Sequence, residues 1–150
     1  MSKMELSIPC TPVAQPRIKA RVIQPKKGGR AFAHFYTPAK ADGFKDALIL
    51  AMRAHAEFPK EPWTGPIGFT CEIFFERPAR LSRKCDPEGA IRHTVKPDFD
   101  NVIKAVCDAG TTAGVWKDDA QVCRSVVDKW YVAKGHRPGV WITVEQLHDA

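Results

Sequence analysis

Apolar positions along this chain switch between the two-residue period of strands and the longer period of helices, and those switches predict its elements. Met4 to Pro9 (MELSIP) alternates weakly, as a half-buried strand does. Ala31 to Tyr36 (AFAHFY) is aromatic and predicts a second strand. Over residues 39–57, Phe44, Leu48, Ala51 and Met52 recur at helical spacing, so a helix is expected there, with Gly43 weakening its first turn. Three prolines between Phe58 and Pro66 impose a loop. Ile67 to Glu76 (IGFTCEIFFE) is rich in β-branched and aromatic residues and predicts a strand. Asp98 to Ala109 predicts a second helix with Val102, Ile103, Val106 and Cys107 as its apolar stripe and Gly110 as its stop. TTAG then forms a turn, and VW a brief extended piece. Gln121 to Lys134 and Val140 to Leu147 predict two last strands, parted by the turn KGHRPG. The order is β-β-α-β-α-β-β. It implies a single small domain over residues 1–150, of α/β (α+β) class, with a mixed sheet and two main helices.

Composition narrows the class. A chain of 150 residues suits one core, and 44% hydrophobic with 27% charged residues describes a globular protein, not a disordered one. No apolar run approaches the roughly 18 residues of a membrane span. The opening MSKMELSIPC has no signal-peptide core, so a cytoplasmic protein with no membrane partner is expected. Cys10, Cys71, Cys85, Cys107 and Cys123 are odd in number and lack CxxC spacing, which predicts small reduced thiols in place of zinc or disulfide chemistry.

The formal charge of +6 points to an acidic partner, of which nucleic acid is the commonest. Its distribution says more. Arg17 to Arg30 holds six basic residues and no acid, and Arg77 to Lys96 holds six against Asp86 and Glu88. Both stretches lack apolar periodicity and predict basic loops, the first joining the first two strands. Arg17, Lys19, Arg80, Arg83, Lys84 and Lys96 are therefore the candidate contacts to a phosphate backbone.

Two acidic pairs stand out within that basic background: Asp98 and Asp100 in KPDFDNVIKAV, and Asp118 and Asp119 in WKDDAQV. A plain structural account is available. Asp98 caps the helix, Asp100 favours its positive end and pairs with Lys104 at i,i+4, and Asp118 and Asp119 are turn residues. The chemical account is a hard-cation site. Mg²⁺ takes carboxylates, waters and substrate phosphate, and converging aspartates are costly without a cation. A cap residue is extended, so a strand-to-helix junction can aim Asp98 and Asp100 near one point, with Lys104 on the same side. The helix between the two pairs spans about 18 Å, and spacing does not decide whether the pairs meet.

KPDFDNVIKAVCDAG followed by GVWKDDAQV resembles the signature of the RusA family of Holliday-junction resolvases, small endonucleases often carried by prophages. The match runs over about 27 residues in order: a basic residue, Asp-x-Asp-Asn, Lys, Asp-Ala, a turn, then Trp-x-Asp-Asp-x-Gln-Val. SIPCTPVAQPRIKAR and FYTPAKADGFKDAL also resemble the opening segments of phage-type members. The resemblance implies that Asp98, Asp100 and Asp119 bind Mg²⁺ or Mn²⁺, with Asp118 a neighbouring acid. It further implies that Lys104 acts at the phosphate and that Asn101 and Asp108 support the motif. It implies a homodimer that binds four-way DNA junctions and makes symmetric paired nicks. Two departures concern loop geometry and DNA preference: Ala14-Gln15-Pro16-Arg17 has one Arg fewer than the usual opening loop, and AGTTAG replaces the commoner Ala-Leu-x-Gly turn.

The resulting expectation is a metal-dependent endodeoxyribonuclease acting on branched DNA in recombination and repair. Two rivals are a non-cleaving DNA-binding protein on the same fold and a structural phage protein. A nuclease for flaps or forks is a further variant. His34, His55, His93, His136 and His148 show no ligand spacing and are expected in surface or loop positions. Trp116 is expected as a packing anchor, Trp63, Trp130 and Trp141 in core or interface, and Phe99 against the core.

Overall fold

The computed structural model describes residues 2–10, 12, 19–23, 32–36 and 42–149. In chain order the elements are β1 (Lys3–Ile8), β2 (Lys19–Ile23), β3 (Phe32–Tyr36), α1 (Asp42–Arg53), β4 (Ile67–Phe75), β5 (Ile91–Arg92), α2 (Phe99–Ala113), β6 (Val122–Tyr131) and β7 (Gly139–Gln146). Five strands form one mixed sheet in the order β1-β7-β4-β6-β5, and β2 pairs with β3 in a separate antiparallel ribbon. The α+β class with a mixed sheet and two helices is as expected. Two strands are additional, and both lie in the stretches expected as loops. β2 falls inside the first basic stretch because KARVI can pair with the aromatic FAHFY beside it. β5 is short and gains its place only by pairing Ile91 and Arg92 with Tyr131 and Trp130.

β4 is the centre of the sheet. It runs parallel to β6 and antiparallel to β7. Parallel neighbours need a long crossover, and α2 lies in that connection between β4 and β6. Met4, Leu6 and Ile8 of β1, Phe69, Cys71 and Ile73 of β4, and Ile142 and Val144 of β7 are buried at alternate positions. They meet Phe44, Leu48 and Met52 of α1 and Val102, Val106 and Ala109 of α2, each set spaced along one helical face. All five cysteines are free thiols, and burial pushes those of Cys71 and Cys107 up to about 12, with nearby acidic charge adding to the effect.

Helix ends differ from the periodicity in instructive ways. α1 stops at Arg53, whose guanidinium turns to the end of α2 and donates to Thr112 O (3.0 Å) and Ala113 O (3.3 Å). The expected start of that helix, 39–41, lies outside the described residues. α2 continues through Gly110, Thr111 and Thr112 and ends at Gly114, which takes the left-handed conformation at φ 90°. Gly110 is thus no stop. It is helical, and a Cβ there would lie 2.1 Å from the ring of Trp116, which is fully buried against it.

His93 lies in the loop after β5, as the surface-or-loop expectation allows, yet it is buried, stacked on Phe75 at 4.0 Å and tilted against Tyr131 at 4.6 Å. Desolvation, then the nearby Lys129 charge, holds its pKa below the ordinary value. Trp63 and Trp116 are buried as expected, and Trp130 is half-buried under the Arg92 guanidinium, 3.7 Å from its ring centre. Trp141 is 58% exposed on the sheet face opposite the helices.

Gly→Ala in an open helix stabilises, by about 0.4–1 kcal/mol. At Gly110 the sign should reverse. Gly110→Ala is expected to lower stability by about 1–3 kcal/mol through overpacking against Trp116, measured as a reduced urea midpoint at unchanged m-value.

Candidate metal-binding cleft

Asp98 stands at the N-cap of α2 with extended backbone (φ −65°, ψ 142°), and Asp100 lies in the first turn. The junction therefore presents both carboxylates at one end of the helix. They line an open cleft of about 520 Å³ together with Thr94, Val95, Lys96, Phe99 and Lys129. The plain account of this pair holds for position, with Asp98 at the cap and Asp100 in the first turn, but not for the interactions it expects. Asp98 occupies the cap position, yet its side chain accepts no capping hydrogen bond. Asp100 forms no ion pair with Lys104 or any other described residue. Both carboxylates are exposed, and among the described residues their oxygens are uncommitted.

Lys129 explains how the junction is held. It lies on β6 opposite Ile73, on the sheet face that carries the helices. Its ammonium donates to Val95 O (3.0 Å) and Pro97 O (2.7 Å), either side of Lys96, and His93 N donates back to Lys129 O (3.1 Å). The Lys96–Pro97 peptide is cis. Sequence reasoning missed Lys129. The available signal was its parity: in VVDKWY it shares a face with Val127 and Tyr131, where a lysine needs a specific partner.

Phe99 is the clearest reversal at the site. It was expected against the core, yet it is 57% exposed, because the core stripe of α2 begins one turn later at Val102.

The second acidic pair lies at the other end of the same helix. Asp100, Lys104, Cys107 and Thr111 fall at i, i+4, i+7 and i+11, one stripe along α2. The Thr111 hydroxyl donates to Asp119 Oδ1, and Trp116 Nε1 lies 3.5 Å from the same oxygen. Eleven residues of helix put Thr111 roughly 16 Å from Asp100 along the axis. Asp118 is committed locally. It caps a short 3-10 turn (Asp119–Gln121), accepting from Ala120 N at 2.7 Å. Gln121 closes that capping box and donates to Trp63 O (2.9 Å) and Gly65 O (3.0 Å), which anchors the turn to the segment just before β4. Among the described residues, no three His, Cys, Asp or Glu side chains converge as a metal-holding group.

Two uncommitted carboxylates still fit a hard divalent cation, because Mg²⁺ keeps most of its waters and takes one or two carboxylates plus substrate phosphate. Lys104 is exposed one turn beyond Asp100, and Lys96 lines the cleft itself.

The remaining basic candidates lie elsewhere. Arg17 is outside the described residues, and Lys19 opens β2. The 77–96 stretch is an ordered loop. Arg77 donates to Leu81 O, Pro87 O and Gly89 O, and Lys134 donates to Arg83 O, Asp86 O and Glu88. Arg83 pairs with Asp86, which leaves Arg80 and Lys84 exposed without an ion pair among the described residues.

Comparison with known proteins bears on this arrangement. The family described as Endodeoxyribonuclease RusA matches residues 9–145. An uncharacterized protein, YqaN, of Bacillus subtilis is 30% identical over 141 residues, 91% of each chain. The crossover junction endodeoxyribonuclease RusA of Escherichia coli K12 is 39% identical over 72 residues, 48% of this chain and 57% of that protein. The crossover junction endodeoxyribonuclease of Enterobacteria phage 82 is 38% identical over 76 residues, 51% of this chain and 60% of its own.

Lys129→Met removes both hydrogen bonds to the 95–97 backbone. It is expected to cost about 1.5–3 kcal/mol, the worth of hydrogen bonds to a charged group, and to speed amide exchange over residues 95–98. Lys129→Arg, which keeps the charge and the donors, should recover most of the protection.

Proposed function

Since the chain belongs to the RusA family of endodeoxyribonucleases, we propose that it is a divalent-metal-dependent nuclease that resolves four-way DNA junctions by paired symmetric nicks. The observation that carries this reading is the pair of uncommitted carboxylates, Asp98 and Asp100, at the head of α2 in a cleft rimmed by lysines. A cation bound there, Mg²⁺ or Mn²⁺, would activate water and neutralise charge on the leaving oxygen. Asp98 and Asp100 hold that cation. Lys104, exposed on the same helical stripe, faces the phosphate and offsets its charge. Lys96 and the loop residues Arg80, Arg83 and Lys84, with Arg17 and Lys19, contact the sugar-phosphate backbone. That contact makes affinity fall steeply with salt. A DNA substrate goes with a cytoplasmic location, and among the described residues no helix is long and apolar enough to cross a membrane.

A homodimer suits a symmetric junction, whose two cleavage points are related by a two-fold axis. It also gives Asp119 a role. One chain separates Asp119 from the Asp98–Asp100 pair by most of the length of α2, so the third carboxylate reaches a cleft most simply from the partner copy.

Asp98→Asn is expected to slow Mg²⁺-dependent nicking of a four-way junction by roughly a thousandfold or more, since a metal supplies several kcal/mol of charge stabilisation. Junction affinity in a gel-shift assay should change by no more than about threefold, because the phosphate contacts that supply most of it are untouched. Undiminished nicking by this variant would remove the assignment. The origin of Asp119 has its own test. Asp98→Asn and Asp119→Asn homodimers are each expected to be inactive, but subunit exchange between them should restore nicking. A shared arrangement leaves one intact cleft per mixed dimer, whereas carboxylates all from one chain leave none.

A further inference from the structure

Two large apolar side chains stand exposed on the rim of the same cleft that holds the acidic pair. Phe99 is 57% exposed and lies between Asp98 and Asp100 in sequence, and Val95 is 49% exposed. Neither is needed to close the core, whose buried residues on either side are His93 in the incoming loop and Val102 on this helix. Isolated exposed apolar residues are ordinary. Two that line one cleft beside uncommitted carboxylates are a composite surface. Its parts correspond to those of a nucleotide: carboxylates for a cation and its phosphate, Lys96 for negative charge, and an aromatic ring with a branched aliphatic neighbour for the face of a base. At about 520 Å³ the cleft lies within the roughly 300–1,000 Å³ of small-ligand sites.

We propose that Phe99 and Val95 form a base-contacting wall, on which a nucleobase next to the scissile phosphate leaves its stack and packs against the Phe99 ring. This rests on the nuclease function proposed above and specifies what its substrate presents. Charge argues for a base over a protein partner. The apolar surface is hemmed by Lys96, Asp98, Asp100 and Lys129, which leaves room for one planar group and no broad apolar patch of the kind a protein interface buries. A branch point is where such a base is cheapest to obtain, since stacking is already interrupted there, and apolar side chains inserted at base steps hold them open. Phe99 then favours cleavage at branch points over continuous duplex.

The test uses the full-length protein and a four-way junction carrying 2-aminopurine at single positions around the nick, with Ca²⁺ replacing Mg²⁺ for binding and Mg²⁺ for single-turnover cleavage. Wild type is expected to change 2-aminopurine fluorescence at one position beside the nick. Phe99→Ala should abolish that change and slow cleavage roughly tenfold, the scale of one lost base–aromatic stack. Phe99→Trp should retain both signals. Circular dichroism confirms folding, which an exposed position should not disturb. Wild-type nicking together with an unchanged fluorescence signal in Phe99→Ala would overturn the base contact while leaving the nuclease function intact. A shift of Phe99→Ala from dimer to monomer in sedimentation would also overturn it, since the ring would then face a second copy. Failure of the wild type to nick any junction would sink the nuclease function and the base contact with it.

Discussion

The indole of Trp116 ties together most of what matters in this chain. It is fully buried against Gly110, where the missing side chain lets the ring touch the backbone of α2. Trp116 also bridges to Trp63, so the segment before β4 is fastened to the segment before β6. Close packing of this kind leaves little freedom, because a displaced ring would leave a void on one side and a clash on the other. The end of α2, the turn at 117–121 and the start of the parallel β4–β6 pair are consequently fixed as one unit. Asp119 inherits its place from that unit, held by Thr111 and near Trp116 Nε1.

The head of α2 is secured by different means. Few apolar contacts reach it, since Val95, Phe99 and both aspartates are exposed. Hydrogen bonds take over: the Lys129 ammonium binds two carbonyls in the segment that leads into the helix. Charged donors on backbone carbonyls fix a loop without covering it, which suits a place that must stay open to a ligand. One end of the helix is therefore packed and the other is tethered, with the acidic candidates divided between them.

The strand pattern of β1, β4 and β7 was legible because each buries alternate residues along one face, a period that local sequence records, whereas β6 buries only Tyr131 and was legible from its β-branched and aromatic residues. α1 and α2 were legible for the same reason, with one face in the core. β2 and β5 were not. Two-residue β5 has no period to read and exists through pairing with β6, and β2 was masked by its basic composition. Gly110 misled for a related reason: a glycine that ends a helix and a glycine that admits a distant indole look alike until the partner is in place.

Residue types and their local order determined the candidate chemistry here. Asp-x-Asp at a strand-to-helix junction, a lysine one turn on and a second acidic pair before a strand all follow from positions within a few residues of one another. Backbone conformation at that range follows from Pro97 and from the helical period. Only the tertiary structure decided which carboxylates are free. Capping and ion pairing depend on where side chains lie in space, and among the described residues Asp98 and Asp100 are left uncommitted while Asp118 is committed to its turn. Tertiary structure alone separated Asp119 from the other two by the length of α2, brought in Lys129 from a strand 32 residues beyond Pro97, and left Phe99 exposed. Those contacts join residues far apart in sequence, and no local period carries their addresses.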